Sequence, residues 1–379
     1  MKMKPITEFC ILNMGQSPDS KTYNKSGIGL PFYQGNADFG EIHPKTRIWC
    51  SLPDKIAQAD DILISIRAPI GALNIAVEKC CIGRGLAAFT PKPEICNYLY
   101  LYYALLSQVN SLIKQGTGST FKAIGKKVLE RIMIPAYSLV DQKQIVTKLS
   151  YIDKLIVKRK HQLFILEKLV QSRFVEMFGA PETNPLGWKE TTVGNECYYI
   201  KDGPHKSLPD IGKENGGHPF ISVRNIVNGY IDFSTAKYIS DNDYQEAINK
   251  CHPQKGDILY SKGGTTGIAK LIDVDVEFAN WVHVAVLKFD KSILNGIFFE
   301  NMLNCDYCYA QSQKLTKGIA NRDLVLGAMA KIKIYRPPIE LQTQFAAFVH
   351  EIDKSKLSIQ KSLEKLEILK KSLMQQYFG

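Results

Sequence analysis

HQLFILEKLVQSRFVEMFG, His161–Gly179, and KSLEKLEILKKSLMQQYFG, Lys361–Gly379, are one segment written twice, 200 residues apart. The match extends upstream without a gap. RIMIPAYSLVDQKQIVTKLSYIDKLIV from Arg131 falls on KIKIYRPPIELQTQFAAFVHEIDKSKL from Lys331. It pairs Ile132 with Ile332, Gln142 with Gln342, Asp153 with Asp353, Leu166 with Leu366 and Gly179 with Gly379. A gapless match of that length is the mark of an internal repeat, and it sets the organisation of the whole chain.

The regions before each copy repeat more loosely. At a shift of 188, Gly15 meets Gly203 and PFYQGN from Pro31 meets PFISVRN from Pro219. At a shift of 196, DILISIRAPIG from Asp61 meets DILYSKGGTTG from Asp257. A drifting shift implies loop insertions within a shared fold. The expected domains are 1–138, 139–180, 181–338 and 339–379: globular, helical, globular, helical. GAPETNPLGWKE from Gly179 reads as the linker into the second half, and no such segment leads into the first. Met1 falls on Lys189, so either a ragged opening strand or a true start further upstream is expected.

Within each repeated segment the apolar residues follow a 4-3 spacing. The first copy carries Ile145, Leu149, Ile152, Ile156, Leu163, Leu166 and Val170, with Arg159 as a misfit. The second carries Phe345, Val349, Ile352, Ile359, Leu363, Leu366 and Leu373, with Lys356 and Lys370 as misfits. Pro135 and Pro337–Pro338 precede the helices, and Gly179 stands where a helix ends. Thirty-odd residues at 1.5 Å each make a rod about 50 Å long. A narrow seam of that length seeks a partner helix, and the other copy completes it, pairing antiparallel with a domain at each end.

The globular regions are mixed. DDILISI, LNIAVEK, GDILYSK, AKLIDVD and HVAVLKF read as strands, and CNYLYLYYALLSQVNSLIKQ and LNGIFFENMLNCDYCYAQSQKL as helices. The fold class is therefore α+β: two similar domains separated by two long antiparallel coiled-coil helices in a pseudo-twofold repeat.

Apolar residues make up 45% and charged residues 22% of the chain, which fits packed cores rather than disorder. The formal charge of +11 suits a polyanionic partner. No run of 18 apolar residues and no signal peptide is apparent, and nine irregularly spaced cysteines fit reduced thiols, so a cytoplasmic protein away from membranes is expected.

Catalytic and cofactor motifs fail on inspection. GSTFKAIGKK from Gly118 places its glycines too far apart for a phosphate loop and puts Lys127 where Ser or Thr belongs. TNPLGW lacks the second proline and the tyrosine of an adenine-holding NPPY pocket. The lone CDYC, Cys305–Cys308, reads as buried thiols rather than a zinc site.

Loops suited to nucleic acid remain. Arg67 and Lys262 each follow a strand and precede glycines, which let a backbone approach a phosphate. Arg84 stands between two glycines. GQSPDSKTYN and KDGPHKS contribute Lys21, Tyr23, Lys201, His205 and Lys206. Tyr33, Gln34, Asn36, Arg224 and Asn225 are types that read base edges. Ser119, Thr120, Lys122, Thr265, Thr266, Lys317, Asn321 and Arg322 complete the set. Singly each is an ordinary solvated loop residue; similar placement in both halves raises the group. Trp281 and His283, alternating with apolar residues in NWVHVAV, read as packing residues of a strand.

The order of these motifs resembles the specificity subunits of type I restriction–modification systems, over essentially the whole chain. GQSPDSKTYN, PFYQGN, DILISIRAPIG and CIGRGLAAFTP carry the likeness in the first half. KDGPHKS, PFISVRNI, GDILYSKGGTTG and the PPIELQTQF segment carry it in the second. The resemblance implies two target-recognition domains, each reading one half of a split site on double-stranded DNA. It implies that the long helices space these domains and dock two modification methyltransferase subunits, with restriction translocase subunits joining the complex. It further implies a chain without catalysis, the S-adenosylmethionine and the ATP with magnesium belonging to the partner subunits.

Overall fold

The computed structural model describes residues 2–117, 122–319 and 321–379. The chain divides into two compact units, Met1–Lys160 with Lys361–Gly379, and His161–Gln360. The division falls inside the repeated helices rather than at their starts. The reason is packing: each helix contributes its opening turns to one core and its closing turns to the other.

In unit 1 an antiparallel sheet runs in the order β1 (Cys10–Met14), β4 (Leu86–Pro91), β2 (Ile62–Ser65), β3 (Leu73–Ile75). DDILISI is apolar on both sides because both sheet faces are covered. Ile62 and Ile64 enter one core with Ala87 and Phe89, whereas Leu63 enters another with Leu86 and Ala88. Each fully buried Ile, Leu or Phe among them contributes about 1.5–3 kcal/mol. A second sheet, of five short strands, holds Leu30–Tyr33 beside Cys80–Ile82 in parallel. Helix α1 (Tyr98–Gln115) follows, capped by Asn97, whose side chain accepts from the Leu99 and Tyr100 amides. Helix α2 is the first repeated segment, Leu139–Phe178, longer at both ends than its seam suggests. Its 40 residues correspond to about 60 Å of helix.

Unit 2 repeats the scheme. Its sheet runs β5 (Cys197–Asp202), β8 (Val284–Phe289), β6 (Ile258–Ser261), β7 (Ala269–Leu271), the same order as in unit 1. Ile258, Tyr260, Ala285 and Leu287 face one core, and Leu259, Val284 and Val286 the other. LNGIFFENMLNCDYCYAQSQKL forms two helices, α3 (Gly296–Asn304) and α4 (Asp306–Leu315), instead of one. The break at Cys305 follows from Asn304, whose side chain is tied to both backbone groups of Ala269 at 2.8 and 2.9 Å. Helix α5 is the second repeated segment, Ile339–Phe378.

The opening strand of unit 1 is as well formed as its counterpart. Met3–Pro5 pairs with Met133–Pro135 as Lys189–Thr192 pairs with Lys333–Arg336. The Ile6 amide donates to Ile132 as the Val193 amide donates to Ile332. The linker is also ordered. Gly179 adopts φ +76°, and a Cβ there would stand 2.6 Å from Pro185. Trp188 folds back so that its indole donates to the Phe178 carbonyl at 2.8 Å.

The helices run antiparallel within each unit. In unit 1 Lys160 meets Glu367 at 3.9 Å, Asp153 meets Lys370 at 2.6 Å, and Lys148 meets Tyr377 at 3.4 Å. Numbers fall along one helix as they rise along the other. Ile145, Leu149, Ile152 and Val349 are buried, while Leu163, Leu166, Ile352, Leu363, Leu366 and Leu373 are half-buried. The misfit Lys370 is explained by Asp153, which also accepts from Tyr103 at 2.7 Å.

The glutamines repeated in the two halves prove to be clamps. Gln142 is fully buried, accepts from the Asn97 amide and donates to the carbonyls of Ile95 and Tyr137, at 2.9, 2.9 and 3.0 Å. Gln342 does the same for Asn295, Ile293 and Pro337 at 2.8, 3.2 and 2.7 Å. Each one locks the start of a long helix to the cap of α1 or α3.

Candidate nucleic-acid interface

In unit 1 the candidate residues gather around the turn Gly83–Gly85. The Gly83 amide donates to Tyr33 at 2.8 Å, the Gln16 amide to Ile82 at 3.1 Å, and the Ile66 amide to Gly85 at 2.9 Å. The Arg84 amide donates to the Ser17 hydroxyl at 3.2 Å. The Ala68 amide takes Lys122 as acceptor at 3.2 Å. Five loops distant in sequence therefore present Gln34, Arg67, Arg84 and Lys122 in one exposed neighbourhood. Gly85 permits this closeness, since a Cβ there would stand 2.3 Å from the Gln34 carbonyl. Lys21 is exposed on the adjoining segment, and half-buried Tyr23 packs on Phe32 with ring centroids 4.7 Å apart. Burial raises the Tyr23 phenol above its ordinary pKa, an effect the positive charge of Arg84 opposes. Asn36 is half-buried on the turn braced by the Asp38 carboxylate, which accepts from the Gln34 amide at 2.7 Å. Ser119 and Thr120 lie outside the described residues.

Unit 2 uses the same ladder. The Trp281 amide donates to Ile221 at 2.8 Å, the Lys262 amide to His283 at 2.8 Å, and the Gly264 amide to Arg322 at 3.0 Å. Thr265, Lys317, Asn321 and Arg322 are exposed along these loops, as are His205 and Arg224. Some of their charge is already engaged. Lys206 meets Glu246 and Asp243 at 3.1 and 3.4 Å, and the Arg224 guanidinium donates to the Thr235 carbonyl at 2.8 Å. The Arg322 guanidinium donates to the Gln313 side chain. Lys201 lies on β5 over the Tyr199 ring, apart from the loops.

Four residues read from the sequence as surface contacts are interior instead. Tyr33 is 1% exposed and its hydroxyl bonds Thr46 at 2.8 Å. Asn225 braces its turn, accepting from Ser222 and donating to Asp232 and Thr235. Thr266 bonds Thr316 at 3.0 Å. Lys262 is 5% exposed and held by Asp323 at 3.0 Å and Asp202 at 3.5 Å. A buried lysine needs that pairing, because an unpaired interior charge costs several kcal/mol. Its carboxylates lie far along the sequence, so its neutralisation had no local signal.

Trp281 and His283 lie just before a strand rather than on it. They occupy the turn between the short strand Ala279–Asn280 and β8, closed by the Val284 amide on the Trp281 carbonyl at 2.9 Å. Trp281 packs on the core of Phe220 and Tyr244, as a packing residue should. Yet Asn280 Oδ1, Trp281 Nε1 and His283 Nδ1 are enclosed without a partner. Each such group costs about 1–3 kcal/mol.

Burial pushes the thiols of Cys10, Cys80, Cys81, Cys96 and Cys197 up to about 12, which makes them unreactive. Cys305 and Cys308 lie at the start of α4, where the bond from Cys308 holds Cys305 below the ordinary thiol range. Among the described residues no group of three or more His, Cys, Asp or Glu is placed to hold a metal ion. No helix among them is long and apolar enough to cross a membrane.

Two α+β units on one backbone plan, each gathering basic and polar loops over a twice-used helix, define the class: a duplicated recognition protein. The family model for the type I restriction modification DNA specificity domain matches residues 1–163 and again 199–369. The chain belongs to that family, the DNA-recognition subunits of type I restriction–modification systems. A putative type I restriction enzyme MjaX specificity subunit of Methanocaldococcus jannaschii is 49% identical over 152 residues, 39% of this chain and 35% of that protein. The MjaIX specificity subunit of the same organism is 26% identical over 86% of this chain and 78% of its own length. The crystal structure of the type I restriction–modification S subunit from M. genitalium covers all of this chain and 96% of its own at TM-score 0.59 and 17% identity, which shows the fold.

Proposed function

We propose that each unit reads one half of a bipartite, asymmetric DNA site, and that α2 and α5 space the units and dock two modification methyltransferase subunits. The observation that carries this is the pair of corresponding turns, Gly83-Arg84-Gly85 and Trp281-Val282-His283, held by matching backbone bonds but bearing different side chains. One framework with two different faces suits two different half-sites. The apolar side chains Phe164, Ile165 and Leu169 are more than two-fifths exposed on α2, which supports a docking role for the helix. In this reading the chain catalyses nothing and holds no cofactor. S-adenosylmethionine serves the modification subunits and ATP with magnesium the restriction translocase, all within the cytoplasm.

Methylome sequencing of a host carrying this chain with its modification subunit tests the reading directly. Two short specified blocks separated by unread bases are expected; a single uninterrupted motif would count against it. Transfer of labelled methyl groups to DNA by the purified chain alone would favour an enzyme instead. Arg67→Ala should weaken binding of the assembled complex by about tenfold, confined to one half-site. Equal loss at both half-sites would contradict separate reading.

A further inference from the structure

We infer that His283 is the DNA-contacting side chain of unit 2 at the place Arg67 fills in unit 1, the same function moved to the opposite strand of one framework. The inference rests on the bipartite reading above and adds a residue to it.

The register is set by three matched backbone bonds. The Gly83 amide donates to Tyr33 as the Trp281 amide does to Ile221, both at 2.8 Å. The Leu86 amide donates to Gly83 as the Val284 amide does to Trp281, both at 2.9 Å. The Ile66 amide donates to Gly85 at 2.9 Å as the Lys262 amide does to His283 at 2.8 Å. Gly85 therefore corresponds to His283, and Arg67, which follows Ile66, corresponds to Gly263.

The side chains at these two facing positions are exchanged. Unit 1 has glycine on the turn and arginine on the loop after β2. Unit 2 has histidine on the turn and glycine on the loop after β6. Sterics keep position 263 bare in unit 2, where a Cβ would stand 2.0 Å from His283 Nδ1, whereas in unit 1 it is the Gln34 carbonyl, 2.3 Å away, that leaves no room for a Cβ at Gly85. The imidazole therefore occupies space that a side chain at position 263 would need. The basic residue beside it, Lys262, is turned inward to Asp202 and Asp323 and supplies no free charge.

The ring has a defined orientation. Nδ1 is enclosed against Gly263 with no partner. Trp281 crosses the ring edge-on with centroids 4.7 Å apart and an interplanar angle of 81°. That leaves Nε2 as the nitrogen open to a ligand, and an Nδ1 without an acceptor favours the proton on Nε2. A single Nε2–H donor suits one acceptor on DNA, a purine N7 or carbonyl oxygen in the groove, or a phosphate oxygen. Arg67, with its five-donor fork, can engage two acceptors. The half-sites are thus read by donors of different reach from one location.

The test uses the full chain assembled with its modification subunit, carrying His283→Asn or Gly263→Ser. Duplexes contain the wild-type motif or a substitution at each position of either half. For His283→Asn we expect affinity about tenfold weaker, with the change restricted to the half-site that Arg67→Ala leaves intact. Loss of preference at one position identifies a base edge; a uniform drop with the motif preserved identifies a phosphate. Gly263→Ser keeps the histidine but displaces its ring and should reproduce the defect. Should His283→Asn fail to assemble, Gly263→Ser decides alone. An assembled variant that binds within twofold of wild type and methylates the same motif overturns the inference. A wild-type complex with an uninterrupted motif overturns the bipartite reading instead.

Discussion

Gln342→Leu is expected to lower the melting temperature of the chain by about 10 °C. The replacement keeps most of the volume but removes every polar atom of the amide. It leaves the Asn295 amide and the Ile293 and Pro337 carbonyls without their side-chain partner in a site that is 0% exposed. An orphaned buried group costs about 1–3 kcal/mol, so the three together amount to roughly 3–5 kcal/mol with partial relaxation. In a unit of this size each kcal/mol moves the midpoint by about 2–4 °C. Gln142→Leu should have a similar effect, since its bonds to Asn97, Ile95 and Tyr137 have the same pattern. Differential scanning calorimetry of both single variants checks this. A shift below about 2 °C for either would show that these glutamines do not clamp the helix starts.

Phe345→Ala should unfasten the end of α2 from unit 2. Phe345 is 0% exposed and lies 5.5 Å from Phe174 and 5.6 Å from Phe178 between ring centroids. Phe298 of α3 closes the group, 5.7 Å from Phe174 and 4.8 Å from Phe178. Removing a ring from such a group costs about 3–5 kcal/mol. Hydrogen exchange supplies a local readout. Amides of Arg173–Phe178 should lose protection roughly a hundredfold or more, while those around Leu149 in unit 1 keep theirs. Unchanged protection at Phe174 would mean that other contacts hold this end of the helix. Unit 1 builds the corresponding place with Phe378 and Tyr100, ring centroids 5.3 Å apart, and with Ile145 where unit 2 has Phe345. The four-phenylalanine group of unit 2 is therefore replaced in unit 1 by Tyr100, Tyr137 and Phe378, although the two helices are copies.

Much of the framework was legible because it is periodic or repeated. The short apolar runs in DILISI and DILYS mark strands with both faces buried, and the 4-3 spacing marks the helices. Break points were less legible. Nothing near Cys305 signals a helix end, because the cause is Asn304 bonding to Ala269 some 35 residues away. Contact residues were legible only as types. Arg67, Arg84, Gln34 and Lys122 are brought together by bonds among five loops, which no single stretch records. Lys262 looked like Arg67 in its local setting, yet Asp202 and Asp323 turn it inward.

The duplication, the two helices and the α+β class reside in the order of residues, since periodicity and repetition are properties of a string. Tertiary structure decided which side chains remain available to a ligand. Burial and pairing depend on atoms far apart in the chain: they withdraw Tyr33, Asn225, Lys262 and Thr266 from the surface. They also place His283 against Gly263, where a side chain at position 263 has no room.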